Sequence, residues 1–198
     1  MTPPESSDKT RQTYDEHAEV IAERFWGVAL TDAWEAFLSS LPPKAHILDV
    51  GCGAGRDVFH FLEQGFNATG LDFSAGLLAE AAKHGEGDFI QADMRALPLA
   101  AEYFDGAWLC ASLLHLQKEE APGVIKAVHT RLKPGGILYI SVKLGEGEEW
   151  EHREGLRFFS YFTTKEIEDV VTQAGFSLRR TWLKPTKKLT WINLLAEK

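Results

Sequence analysis

The segment Gly51-Cys52-Gly53-Ala54-Gly55 follows the apolar run Ile47-Leu48-Asp49-Val50 and precedes a helical pattern that begins at Arg56. Glycines at alternate positions let the chain turn sharply between a strand and a helix. They also let a ligand lie against the main chain with no Cβ in between. Asp72 closes the next apolar run 21 residues beyond Gly51, where a carboxylate can accept hydrogen bonds from a ribose diol. The competing reading of Asp72 is an acid ahead of a helix that Ser74 can cap. Asp93 ends a third run, where it either meets the exocyclic amine of an adenine or stands solvated in its loop. The spacing here is G-x-G-x-G, not the dinucleotide fingerprint G-x-G-x-x-G, and Asp57 occupies the turn where a phosphate would be repelled. A nucleoside cofactor without phosphates fits better.

Such residues work together only if strands and helices alternate, and the pattern does so. Short apolar runs at 47–50, 68–71, 88–92, 104–110 and 137–142 read as strands. Helical patterns at 56–64, 74–83 and 119–132 lie between them, and this order implies a parallel sheet with helices on both faces. The rhythm then breaks. A helix over 163–174, with Gly175 beyond its end, is followed by two strands at 176–183 and 189–196 that leave no room for a crossover helix. They must pair as an antiparallel hairpin. The expected fold is therefore α/β, with a mostly parallel seven-stranded sheet and a C-terminal antiparallel hairpin. Residues 1–9 read as a frayed tail and 10–40 as helix, divided at Gly27 and stopped by Pro42-Pro43. One domain spans 1–198: a helical N-terminal cap over 1–43 and an α/β core over 44–198, with a lid-like insert at 143–161.

The 198 residues include 21 Lys+Arg and 29 Asp+Glu, a net charge of −8 that disfavours nucleic acid held by bulk electrostatics. The hydrophobic (44%) and charged (25%) fractions are those of a globular chain and exclude wholesale disorder. Two cysteines cannot build a disulfide framework and point to a reducing compartment. The polar N-terminus has no signal-like apolar region, and the most apolar stretch, 104–116, contains Asp105 and His115 and is too short for a membrane span. The expectation is a cytoplasmic monomer or homodimer with no membrane contact.

Several motifs in order resemble the class I, Rossmann-like S-adenosylmethionine-dependent methyltransferases, from about Arg11 to Glu197. The segment 47–55 is similar to the family's first motif and Gly70-Leu71-Asp72-Phe73-Ser74 to its second. Ala92-Asp93-Met94 is similar to its acidic motif, and 104–108 running to Leu114-His115-Leu116 to its fourth-strand motif. Leu132-Lys133-Pro134-Gly135-Gly136 is similar to the turn before its fifth strand. A looser likeness is to compact bacterial members of the tellurite-resistance-like and quinone-pathway kinds.

The resemblance implies S-adenosylmethionine as cofactor, S-adenosylhomocysteine as product and methyl transfer to a small molecule as the activity. By position, Asp49 and the backbone of Gly51, Cys52, Gly53 and Gly55 would cradle the methionine part. Asp72 would take both ribose hydroxyls, with Ser74 beside it in the motif. Phe73 would flank the adenine, and Asp93 and Met94 would hold its edge. Cys110, Ala111 and Ser112 would line the sulfonium end. Arg56 and Asp57 either order the loop through an ion pair, touch the methionine carboxylate, or lie exposed. No metal is implied.

In-line transfer needs alignment more than acid–base help, because the sulfonium is already a good leaving group. Where the acceptor carries a proton, His115 is the candidate general base, against the alternative of a packed, hydrogen-bonded histidine. The expected acceptor pocket is built by the cap, with Tyr14 and Trp26, and by the insert, with Trp150, Arg153, Arg157 and Tyr161. Arginines beside aromatics suit an anionic group. Equally, those arginines can be surface partners of Glu146, Glu148, Glu149 and Glu151. Two other functions remain open. Arg179, Arg180, Lys184, Lys187 and Lys188 can touch RNA phosphates, and the fold can bind its cofactor without catalysis. The absence of an Asn-Pro-Pro-Tyr-type segment after Trp108 speaks against methylation of a base amino group.

Overall fold

The computed structural model describes residues 3–198, with side chains from Asp8 onward. Three helices come first, α1 (Pro3–Glu16), α2 (Ala18–Trp26) and α3 (Thr31–Leu38). Gly27 ends α2 as expected, but a second break at His17, with φ −121° and ψ 23°, separates α1 from α2. Residues 3–9 belong to α1 instead of a frayed tail. Proline suits that start, since it lacks the N–H that a first helical turn leaves without a partner; Met1 and Thr2 lie outside the described residues.

The chain continues through β1 (His46–Val50), α4 (Arg56–Glu63), β2 (Asn67–Asp72), α5 (Ala75–Ala81) and β3 (Asp88–Gln91). Next come β4 (Phe104–Cys110), α6 (Ala121–Arg131), β5 (Leu132–Lys143), β6 (Glu148–His152) and β7 (Leu156–Ser160). It ends with α7 (Thr164–Gln173), β8 (Ser177–Pro185) and β9 (Thr190–Glu197). Seven strands form one sheet in the order β3-β2-β1-β4-β5-β9-β8. The first five are parallel to their neighbours, while β9 runs antiparallel to both β5 and β8. The chain builds outward from β1 to β2 and β3, then returns to add β4 on the other side. The loops after β1 and β4 therefore lie side by side at a topological switch point, where open α/β sheets bind ligands.

Period-two alternation along the strands divides the core between two faces. Leu48, Val50, Leu109, Leu138 and Ile140 pack with Val124, Ile125 and Val128 of α6 and with Ile167 and Val171 of α7. Ile47, Trp108, Ile137 and Tyr139 face the other way, onto Phe37 of α3 and Val58 and Phe61 of α4. There Trp108 stacks on Tyr139 with ring centroids 3.8 Å apart.

The insert at 143–161 is an ordered two-stranded hairpin, β6–β7, outside the main sheet, with Trp150 opposite Phe158. Its outer edge is closed by α1. Thr13 Oγ1 donates to Leu156 O (2.8 Å) and accepts from Leu156 N (3.1 Å), and Thr10 Oγ1 accepts from Phe158 N (3.1 Å). Thr10 and Thr13, three apart on α1, stand in for the strand that would otherwise pair with β7.

The buried carboxylate of Asp57, in the first turn of α4, joins the other parts. Its oxygens accept from Trp34 Nε1 of α3 (3.0 Å) and Trp108 Nε1 of β4 (2.8 Å). They also receive Arg56 Nε and Nη2, at 2.9 and 2.7 Å. Removing one partner of a buried charge pair typically costs about 3–5 kcal/mol. Asp57→Ala should therefore lower the urea midpoint by that equivalent with an unchanged m value. A loss below about 1 kcal/mol, the level of an exposed ion pair, would show that this carboxylate is not the junction.

Candidate functional site

A cavity of about 740 Å³ opens at the carboxyl ends of β1, β2, β4 and β5, beneath α1, α2 and the β6–β7 hairpin. That size lies within the ~300–1,000 Å³ usual for ligand sites. Among the residues singled out from the sequence, Gly51, Cys52, Gly53, Arg56, Asp72, Phe73, Asp93 and Met94 line it. So do Cys110, Ala111, Ser112 and His115, together with Tyr14, Trp26, Arg153 and Arg157. Asp49, Gly55, Ser74, Trp150 and Tyr161 are not part of the lining.

At the switch point, close packing requires the glycine at position 51. Its φ is +79°, and a Cβ there would sit 2.3 Å from the Ser112 Cβ. Gly53, at φ +56°, faces open space instead: a Cβ there would come no closer than 3.9 Å to its nearest neighbour, Leu77 Cδ1. Gly55, at φ +81°, abuts the Phe89 and Phe59 rings, so its role is packing under α4 and not cradling. The loop amides are already engaged. Gly51 and Cys52 donate to Leu71 O (2.7 and 3.1 Å), Gly55 to Cys52 O (3.0 Å), and Gly53 to Asp72 Oδ2 (2.8 Å). The expected backbone cradle therefore does not act through these four N–H groups. For the same reason they are not a phosphate nest.

What the loop does offer is negative charge. Asp72 is buried at the end of β2 and also accepts from Ser74 N (2.9 Å). Burial raises its pKa to about 6, against the lowering by its backbone hydrogen bonds. Each carboxylate oxygen can accept a second donor, so a ligand diol remains compatible with both bonds. Asp49, beneath the loop, leaves Oδ2 buried with no hydrogen-bond partner. Burial first, then the neighbouring Asp57 charge, pushes its pKa up. A positively charged ligand suits such a site and an anionic one does not.

Other assignments are redistributed. Ser74 caps α5 by accepting from Leu77 N (3.1 Å) and donates to Asp15 Oδ1 (2.7 Å), which ties α5 to α1. Asp93 lines the cavity, but its two oxygens hold Arg95 through Nε at 2.9 and 3.0 Å, and the Asp93 pKa is lowered. Burial raises the pKa of that carboxyl, and the Arg95 bonds and charge outweigh it. Cys110 lies 3.9 Å from Arg56 Nη2, and burial pushes its thiol pKa upward. Ala111 holds φ +54°, a rare conformation for a residue with a Cβ, at the corner after β4.

On the opposite wall, Tyr14 and His115 form a relay. Because Phe158 O can only accept, His115 Nδ1 carries the proton and donates to it (2.8 Å). His115 Nε2 then accepts from the Tyr14 hydroxyl (2.7 Å). Burial lowers the His115 pKa to about 3, outweighing the bond to Phe158 O. The neutral imidazole thus holds the Tyr14 hydroxyl in place, the packed, hydrogen-bonded arrangement that stood as the alternative to a general base.

Trp150 packs edge-on against Phe158 within the hairpin (5.5 Å between centroids), and the Tyr161 hydroxyl lies between the carboxylates of Glu149 (2.6 Å) and Glu151 (2.8 Å), with one proton to donate to either. Trp26 stacks on His84 at 3.4 Å. Lys143, Glu151 and Asn193 line the cavity and were not singled out from the sequence. Lys143 ends a long apolar strand, and only its polarity within that run marked it.

Residues 47–136 match a family described as a methyltransferase domain. This stretch runs from β1 into β5 and contains the switch-point loops, Asp72, Asp93 and His115. The chain is 35% identical over 107 residues to malonyl-(acyl-carrier protein) O-methyltransferase of Enterobacter lignolyticus, covering 52% of this chain and 42% of that protein. A solved structure of Burkholderia thailandensis 1,6-didemethyltoxoflavin-N1-methyltransferase, with bound 1,6-didemethyltoxoflavin and S-adenosylhomocysteine, superposes with a TM-score of 0.84. It shares 25% identity and covers 100% of this chain and 91% of that one. The fold is that of the class I, Rossmann-like S-adenosylmethionine-dependent methyltransferases, and residues 47–136 carry the matched methyltransferase domain. Magnesium protoporphyrin IX methyltransferase of Synechocystis, solved with its methyl donor, shares the fold at a TM-score of 0.76 and 18% identity, covering 98% and 97% of the two chains. The chain spans about half the length of the curated relatives it matches first, 42%, 48% and 49%. The cap and the β6–β7 hairpin, which form the other wall of the cavity, lie outside the matched family segment.

The relay predicts a pH dependence. An unfolded histidine takes up a proton below about pH 6.5, whereas folded His115 stays neutral down to about 3. Stability from this residue is therefore complete above pH 6.5 and is lost as the pH falls, by up to about 1.4 kcal/mol per pH unit. His115→Gln should remove about that slope between pH 6 and 5 in urea titrations. An unchanged slope would show that His115 titrates freely in the folded protein.

Proposed function

We propose that this chain transfers a methyl group from S-adenosylmethionine to a small-molecule acceptor, releasing S-adenosylhomocysteine. When bound, the cofactor supplies an electrophilic methyl group on a sulfonium leaving group. The observation that carries the reading is Asp72: a buried carboxylate closing β2, bonded to the Gly53 amide and lining the cavity. In this role Asp72 accepts both ribose hydroxyls, and Phe73 and Met94 flank the adenine. Asp49, buried beneath the loop, and its acidic neighbours favour the cationic end through their charge, without contact. Cys110, Ala111 and Ser112 border the reacting end, and Tyr14, pinned by His115, closes over it. These groups align attack at roughly 3–3.5 Å, which is the main service an in-line displacement requires.

A small acceptor is favoured over RNA because the basic C-terminal hairpin is largely committed within the fold. Arg179 pairs with Glu197, Lys184 with Asp32, and Arg180 lies 4.7 Å from the centre of the Trp182 ring. In this reading the cap over 1–43, the core and the 143–161 hairpin work as one domain. Both cysteines are free thiols, and no helix among the described residues is long and apolar enough to cross a membrane; these support a cytoplasmic setting.

Calorimetric titration with S-adenosylmethionine, S-adenosylhomocysteine and NADH tests the proposal: the two adenosyl ligands should bind and NADH should not. Asp72→Ala should weaken S-adenosylhomocysteine by about 1.5–3 kcal/mol, the worth of hydrogen bonds to a charged group. Hydroxyl donors stabilise ionised Asp72, so wild-type affinity should fall up to about tenfold from pH 7.5 to pH 5, across the value of about 6 set by burial. Binding that is indifferent to both the substitution and pH would remove Asp72 from the site, and no adenosyl binding at all would overturn the function.

A further inference from the structure

The hairpin wall of the cavity holds two cations, both more than nine-tenths buried and both at the same aromatic ring. The Lys143 side chain is 7% exposed and that of Arg157 is 5% exposed. Lys143 Nζ lies 3.4 Å from the centre of the Phe159 ring, and the Arg157 guanidinium lies 5.5 Å from Phe159 and 5.6 Å from Tyr14. Their partners differ. Lys143 is paired with Glu151, whose carboxylate also meets the Tyr161 hydroxyl. Glu154, the acid nearest Arg157, is engaged by both Nη groups of Arg24 and stays 3.7 Å from Arg157 Nη2, beyond hydrogen-bond reach. Arg157 Nη1 reaches only the Tyr14 hydroxyl, at a long 3.5 Å, and its buried Nε has no partner in the protein.

Charge counting then leaves a remainder. Lys143 pairs with Glu151, and Arg24 holds Glu154, which the more exposed Arg153 also approaches at 3.7 Å, so Arg157 is a buried cation with no counter-ion to itself. Burying a charge without pairing is strongly unfavourable, and a guanidinium presents a planar fork matched to a carboxylate. A single buried guanidinium with unfilled donors, flanked by two carboxylates already engaged by other cations, is matched by the planar fork of one carboxylate. Both Arg157 and Lys143 line the same cavity as Asp72 and Ser112.

We infer that the methyl acceptor carries a carboxylate, which Arg157 binds with Lys143 at its side while the acceptor's apolar body lies against Tyr14 and Phe159. This inference rests on the proposed methyltransferase function and names the class of its second substrate. The relay agrees with it: the Tyr14 hydroxyl donates its hydrogen bond to His115, so its oxygen lone pairs are left toward Arg157. Arg157 acts here in binding and positioning, not in proton transfer.

The test uses the whole chain saturated with S-adenosylhomocysteine, whose binding is recorded first. Butanoate, octanoate and 3-phenylpropanoate, each beside its primary amide, are titrated by tryptophan fluorescence. At least one acid should bind tenfold or more tightly than its amide. Arg157→Gln should abolish that preference with S-adenosylhomocysteine affinity kept within twofold, and Arg157→Lys should restore part of it. The acid–amide comparison on the unmodified protein stands even where a variant fails to fold. If no acid is preferred over its amide, whether all bind equally or none binds, the inference is overturned. It is equally overturned if Arg157→Gln keeps the preference. Failure of S-adenosylhomocysteine to bind in the opening step instead overturns the proposed function.

Discussion

The Asp57 carboxylate is the constraint on which the site depends. Two indole N–H groups, from Trp34 in the cap and Trp108 in β4, converge on it, and Arg56 closes the remaining side. Each indole is a large apolar body with one polar atom that must be satisfied when buried. A single acid in the first turn of α4 satisfies both, and its charge is favoured by the positive end of the helix. Because Asp57 immediately follows the glycine loop, the same bonds that hold α3 on the sheet also fix where that loop emerges. The cofactor end is thus positioned by packing on the face of the sheet away from α6 and α7.

The cavity has two walls of different origin. One belongs to the α/β core: loops after β1, β2 and β4 that lie together because strand order reverses there. This wall is acidic, and four amides of its glycine loop are bonded within the protein. The other comes from α1 and the β6–β7 hairpin, which reaches the core through Phe159 and is tied to α1 through hydroxyl and imidazole groups. Its polar end is cationic. One compartment therefore presents opposite charge at its two ends, an arrangement that orients a cationic and an anionic ligand toward each other before any contact is made.

How much of this was readable in sequence follows from how local each signal is. The strands, the glycine loop and Asp72 were legible because strand period, turn glycines and βα spacing are written within about 25 residues. The C-terminal hairpin was legible for the same reason. The Asp57 junction was not, since its partners Trp34 and Trp108 lie 23 and 51 residues away. The insert read as lid-like because Gly145 and Gly147 lie at its start. Its strand character comes from pairing with itself and from Thr10 and Thr13, some 143–148 residues distant. Asp93 and Ser74 were identified as site residues by position, yet their oxygens serve Arg95 and the α5–α1 junction. The hydrogen-bond partners of His115, Tyr14 and Phe158, lie 101 and 43 residues away and carry no local signal.

The threonine pair on α1 has a consequence for how the protein keeps itself out of trouble. A hairpin with one open edge is a template for joining another chain, and natural sheets blunt such edges. Here the outer edge of β7 is capped by side chains of a helix that also roofs the cavity. Any displacement of α1 that widens the entrance uncovers Leu156 N and Phe158 N at the same time. Traffic through this entrance and self-association of the hairpin therefore draw on the same three hydrogen bonds, so a chain that opened more freely would also be a stickier one.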